Sequence, residues 1–125
     1  MLSTGVLLLG AATCDSPVKG AGVVCTEEAR AGITLTIVDS LTGTADGLAG
    51  LWARAVAGAY RDSTTVNFGN SETGTANMAL AYEHAGTFVV TVHANGYGDW
   101  NKVGVVVPAG ICHVTGVILT ARLVH

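Results

Sequence analysis

An all-β fold, an antiparallel β-sandwich of seven short strands, is what this sequence predicts. Three observations carry the prediction. Apolar and polar residues alternate with a period of two in several short runs. Clusters of Gly, Asn, Asp and Ser punctuate the chain at close intervals, with 17 Gly and only two Pro among 125 residues. No stretch carries the 3.6-residue repeat of an amphipathic helix of useful length. Composition agrees, because half of the residues are hydrophobic while only 6% are aromatic and 12% charged. The core is therefore built from Val, Ala, Leu and Ile, with Thr abundant on the surface, mostly residues that suit strands. A chain of this length suits one domain, which buries roughly two-thirds of the surface its unfolded chain exposes.

The strands follow in order. In GITLTIVDSLTG, Ile33, Leu35 and Ile37 face one way and Thr34, Thr36 and Val38 the other, and Asp39 to Gly43 turns the chain. LWARAVAG sets Leu51, Ala53 and Ala55 against Trp52, Arg54 and Val56, and Gly58 with AYRDSTTVNF forms the hairpin return. Asn67 to Asn77, NFGNSETGTAN, reads as a polar loop, after which MALAYE resumes a strand. Phe88, Val90 and Val92 alternate with Val89, Thr91 and His93. KVGVVVP follows and stops at Pro108, which has no N–H to give a ladder. CHVTGVILTARLV closes the domain.

The N-terminal residues read differently. Met1 to Thr13, MLSTGVLLLGAAT, is an apolar run that looks like the end of an export signal, residues 14–24 read as a flexible tether, and 25–125 as the sandwich. The run is too short to span a bilayer, which takes about 20 residues; a buried N-terminal strand is the alternative. LLLGAATC resembles a bacterial lipobox, with Ala11 and Thr13 standing where the pattern prefers Leu and a smaller residue. That resemblance implies lipid on Cys14 and a place on the membrane of the bacterial cell envelope, facing the periplasm or the exterior; ordinary signal cleavage nearby is the alternative. Three Cys leave one over if the protein is oxidised. With Cys14 lipidated, Cys25 and Cys112 remain as a disulfide pair; two buried free thiols are the alternative.

AGTFVVTVHANGYGDW, Ala85 to Trp100, followed by NKVGVVVPAG, resembles the carboxypeptidase-regulatory-like domain. In that family a small residue, Gly and Thr lead into an aromatic-initiated strand, then a Gly-Tyr turn and a Val-rich strand. A Cys and an acidic residue precede its first strand, a DSLTG-like turn follows, and a Cys-His pair opens its last. Cys25, Glu27, Asp39 to Gly43, Cys112 and His113 occupy those places. The resemblance covers roughly Cys25 to Leu123 and implies a transthyretin-like, prealbumin-type sandwich of the kind carried by small bacterial lipoproteins. It implies little about function, since function lives in sites and not in folds.

Function is bounded mainly by exclusion. The net charge of −3 is spread thinly, with no Lys/Arg cluster to neutralise phosphates, so nucleic acid is not an expected partner. His84, His93, His113 and His125 lie far apart in sequence, at no metal-ligand spacing, and no metal or other cofactor is expected. No GxSxG elbow or phosphate-binding GxGxxG is present. The chain ends TARLVH, without the C-terminal Tyr-Arg-Gly-Ser of the hydroxyisourate hydrolases that share the transthyretin-like fold. The expectation is a non-catalytic exported module, structural or protein-binding, whose partner is an envelope protein reached through loops or an edge strand. The alternative is a small-ligand or glycan-binding sandwich using the loop aromatics, with Tyr97, Asp99 and Trp100 as the ligand-binding candidates and Trp52 as a second ring. Tyr97 is also expected to cover the end of the core with its hydroxyl on a backbone partner, as in a tyrosine corner.

Overall fold

A computed structural model describes residues 24–125; the signal-like run at 1–13 and Cys14 lie outside the described residues. The strands are β1 (Ile33–Asp39), β2 (Trp52–Ala57), β3 (Tyr60–Thr64), β4 (Asn77–Leu80), β5 (Gly86–His93), β6 (Trp100–Val107) and β7 (Val117–Leu123), with one 3₁₀ turn at Ser71–Thr73. They form a three-stranded sheet in the order β4-β1-β7 and a four-stranded sheet in the order β3-β2-β5-β6. No α-helix occurs among the described residues.

The two sheets share one apolar core. Ile33, Leu35 and Ile37 of β1 and Met78 and Leu80 of β4 are fully buried, and they meet Ala53, Ala55, Phe88, Val90 and Val92 from the other sheet. Successive side chains of a strand point to opposite faces, so the alternation in the sequence becomes one buried and one exposed surface per sheet. Each large aliphatic or aromatic side chain buried this way contributes about 1.5–3 kcal/mol. Ala53 and Ala55 leave the centre of β2 thin opposite their partners Val92 and Val90. Close approach is also built in at Gly32, where a Cβ would lie 2.6 Å from the Ala81 carbonyl oxygen that accepts the Gly32 N–H at 3.0 Å.

Three sequence expectations need correction. The sheets are not wholly antiparallel, because β1 pairs in parallel with β7 over Ile33↔Val117 to Asp39↔Leu123. The reason lies in the lead-ins. Cys25, shortly before β1, is disulfide-bonded to Cys112, shortly before β7, with Cα atoms 5.2 Å apart. The Val117 N–H then bonds the Gly32 carbonyl at 2.9 Å, so both strands set out from the same end of the sheet. Second, MALAYE does not continue as a strand. β4 stops at Leu80, and Ala81 and Glu83 take left-handed conformations at φ 57° and 53°. The Ala81 N–H goes to the Asp62 carboxylate at 2.9 Å instead of a ladder partner. Third, Cys112 to Gly116 is a loop ahead of β7 and not its opening, held by the Thr115 N–H to the Pro108 carbonyl at 2.8 Å.

Candidate functional site

Three constellations bring together residues that are remote in sequence. The first lies on the outer face of the four-stranded sheet. The phase that buries Ala53 and Ala55 turns Trp52 and Arg54 outward. Cross-strand pairing sets Arg54 against Ser63 and Val56 against Arg61 on β3, while Trp52 pairs with His93 and Arg54 with Thr91 on β5. The Trp52 and His93 rings stack at 5.2 Å between centroids and 14° between planes. The Arg54 guanidinium carbon lies 5.2 Å from the centre of the same indole, a cation–π contact. His93 is itself fixed, since its Nδ1 sits 2.8 Å from the Asp99 carboxylate, which only accepts, so Nδ1 is the protonated nitrogen. Beside this stack opens a cleft of about 520 Å³ lined by Trp52, Arg54, Arg61, Ser63, Thr64 and Thr65. Its floor is a sheet surface, its charge is positive, and neither arginine forms an ion pair among the described residues.

The second constellation surrounds the disulfide. His113, next to Cys112, places Nδ1 on the Glu83 carboxylate and Nε2 2.8 Å from the hydroxyl of Thr26, next to Cys25. Glu83 also accepts the Arg30 N–H at 2.9 Å and the Val114 N–H at 3.1 Å. The His113 bond above all, with the two backbone donors adding to it, holds the Glu83 carboxyl below the usual carboxylate range against the opposing effect of desolvation. Hydroxyl, imidazole and carboxylate stand in the order of a hydrolytic relay. The His113 side chain, however, is only 12% exposed. The arrangement joins the segment entering β1 to the turn after β4 and the loop before β7.

The third sits at the end of the core. Asp39 keeps the inward phase of β1, and its carboxylate accepts the Leu41 and Thr42 N–H groups at 2.7 and 3.1 Å and the Tyr97 hydroxyl at 2.5 Å. The Tyr97 ring stacks on His125 at 4.0 Å. The Tyr97 hydroxyl, with help from the two amides, lowers the Asp39 pKa; the same bond, with desolvation, raises that of Tyr97. Tyr97 thus closes the core as expected, but through a side-chain carboxylate and not a backbone group.

The ligand-binding candidates read from sequence do not converge. Tyr97 turns to Asp39, and Trp100 pairs with Val92 on the core side, partly buried against the core; Asp99 alone reaches the outer face, as the partner of His93. Trp52 is the ring that borders a cleft. Arg54 and Arg61 escaped sequence reasoning because only the β2–β3 register brings them onto one face. Three of the four His, expected to stand apart, each face a carboxylate: Asp99, Glu83 and Asp39. Among the described residues no group of three or more His, Cys, Asp or Glu is placed to hold a metal ion, and no helix is long and apolar enough to cross a membrane. No protein-family model matches this chain, and no curated protein does either.

Proposed function

We propose that this chain is a non-catalytic, exported module of the transthyretin-like, carboxypeptidase-regulatory-like class, tethered to the cell envelope by lipid on Cys14, which acts by presenting a surface to a partner. The observation that carries this reading is the Cys25–Cys112 bridge. Disulfides persist in oxidising compartments and are rare in the cytosol. This one ties the lead-ins of two neighbouring strands in an all-β domain, which marks it as structural in design. The Thr26–His113–Glu83 relay reinforces the same junction, and its carboxylate is already engaged by two backbone amides.

Masses of the protein recovered from its own cells, with thiols alkylated before and after reduction, test the proposal. The expected result is a lipid-modified N-terminal Cys14, with Cys25 and Cys112 alkylated only after reduction. Three free thiols and an intact Met1 would overturn it. A second reading, ligand binding, is favoured by one observation, the cationic cleft beside Trp52 on the outer sheet face; the loop aromatics Tyr97 and Trp100 do not support it, being packed against the core.

A further inference from the structure

We infer that the outer face of the β3-β2-β5-β6 sheet is a binding site for an anionic saccharide, with Arg54 and Arg61 receiving its acidic groups. The inference names a ligand class for the exported module and rests on that reading only for where the ligand would be met.

Several features converge on it. Two guanidinium groups line one cleft with no carboxylate in the lining, and neither is in an ion pair among the described residues. Guanidinium forks match carboxylate and sulfate geometry through paired N–H donors, which makes an unpartnered pair of them a recogniser of planar or multiply charged anions. Their positions are set by the sheet: Arg54 faces Ser63 across the β2–β3 pair, and Arg61 lies two residues from Ser63 on the same strand face, at the diagonal separation of about 7–8 Å between backbones. That spacing suits two anionic groups, or one acidic group and its neighbouring hydroxyls, on a single ligand.

Arg54 is also prepared for the role. Asp99 fixes His93, His93 stacks on Trp52, and the Trp52 ring holds the guanidinium of Arg54. A long side chain held in place before binding loses less conformational freedom when the ligand arrives. Trp52 is thus a positioning residue, and Asp99 acts through the stack without touching the ligand.

The rest of the lining favours a saccharide over an acidic peptide. Ser63, Thr64 and Thr65 supply hydroxyls, and the lining offers no pocket of aliphatic side chains to take the residues of an acidic peptide. A peptide adding to this sheet would pair with the backbone of an edge strand, whereas the cleft lies on the face. The cleft's volume of about 520 Å³ is in the usual range of small-molecule sites.

The test uses the oxidised protein and ¹⁵N-resolved NMR titrations with three probes: tri-galacturonate, neutral galactotriose and a glutamate hexapeptide of comparable charge. Tri-galacturonate is expected to move the Trp52 indole N–H and the amides of residues 52–54, 61–65 and 91–93, leaving the Trp100 indole in place. Galactotriose is expected to move none of them. Arg54→Ala and Arg61→Ala are each expected to weaken binding roughly tenfold or more, and Trp100→Phe to leave it unchanged. Asp99→Asn is expected to weaken binding less than Arg54→Ala and to broaden the Arg54 side-chain signal, which loss of a merely structural contact would not do. Equal binding of the hexapeptide would overturn the saccharide assignment, and unchanged affinity in both arginine variants, with the fold intact by NMR, would overturn the site. Neither outcome bears on lipid at Cys14 or on the compartment, which the thiol and mass measurements decide separately.

Discussion

Asp39 occupies the last inward-facing position of β1, where the phase that buries Ile33, Leu35 and Ile37 also carries a carboxylate to the end of the core. A charge there is tolerated because Leu41, Thr42 and Tyr97 all donate to it. The same bonds lower the Asp39 pKa and raise that of Tyr97. For the carboxylate, the stabilisation is complete above its unfolded value of about 3.9 and is lost as pH falls through the lower folded value. For the phenol the sign reverses: the contribution is complete below about 10 and is lost as pH rises through the higher folded value. Thermal melting against pH is expected to show both limbs, and Asp39→Asn to lower the neutral plateau while flattening each limb. A residual acid slope belongs to Glu83, whose pKa is also lowered. An unaltered profile in Asp39→Asn would remove the carboxylate from this role. Sequence reading saw that Tyr97 covers the core but not its partner, since Asp39 looked like turn chemistry and its reach to Tyr97 spans 58 residues.

Strands were the most legible feature, because alternation is a local signal with a direct structural meaning. β5 offers the sharpest check: Phe88 is 1% exposed and its neighbour Val89 42%. Phe88→Ala is expected to cost about 3–5 kcal/mol, and Val89→Thr within about 0.5 kcal/mol, both read from denaturant unfolding. Similar losses for the two would contradict the facing of this strand. Where the reading of elements failed, tertiary contacts had overridden local preference. MALAYE has the composition of a strand, but Asp62 draws off the Ala81 amide and Arg30 donates to Glu83, so the chain turns at Leu80. CHVTG looked like the start of a strand, but Cys112 and His113 are committed to Cys25, Thr26 and Glu83. The candidate cleft was half legible. Trp52 and Arg54 fall on one face by alternation alone, whereas Arg61 and Ser63 join them only through a hairpin register that the glycine at 58 and its flanking residues did not specify.

At the scale of the molecule, one covalent link bears on both topology and stability. The parallel β1–β7 pair was hidden in the sequence because strand direction depends on where a chain re-enters the sheet, and the Cys25–Cys112 bridge with the Gly32–Val117 bond sets that point. Closing a loop of sequence separation 87 is worth about 4–5 kcal/mol in the chain-entropy account. Cys112→Ser is therefore expected to lower unfolding free energy by about that amount at most, measured against the oxidised protein, and equal stability would place the stabilisation elsewhere. The bridge also has a mechanical meaning. When tension is applied between a point before Cys25 and a point after β7, the covalent path crosses from Cys25 directly to Cys112 and on through β7. Once the β1–β7 ladder has parted, everything between the two sulfurs is a closed bight that bears no line tension and contributes no slack. Its hidden contour, about 300 Å of extended chain, is paid out only when the sulfurs part, so a reductant acts on this molecule as the release of a coiled rope.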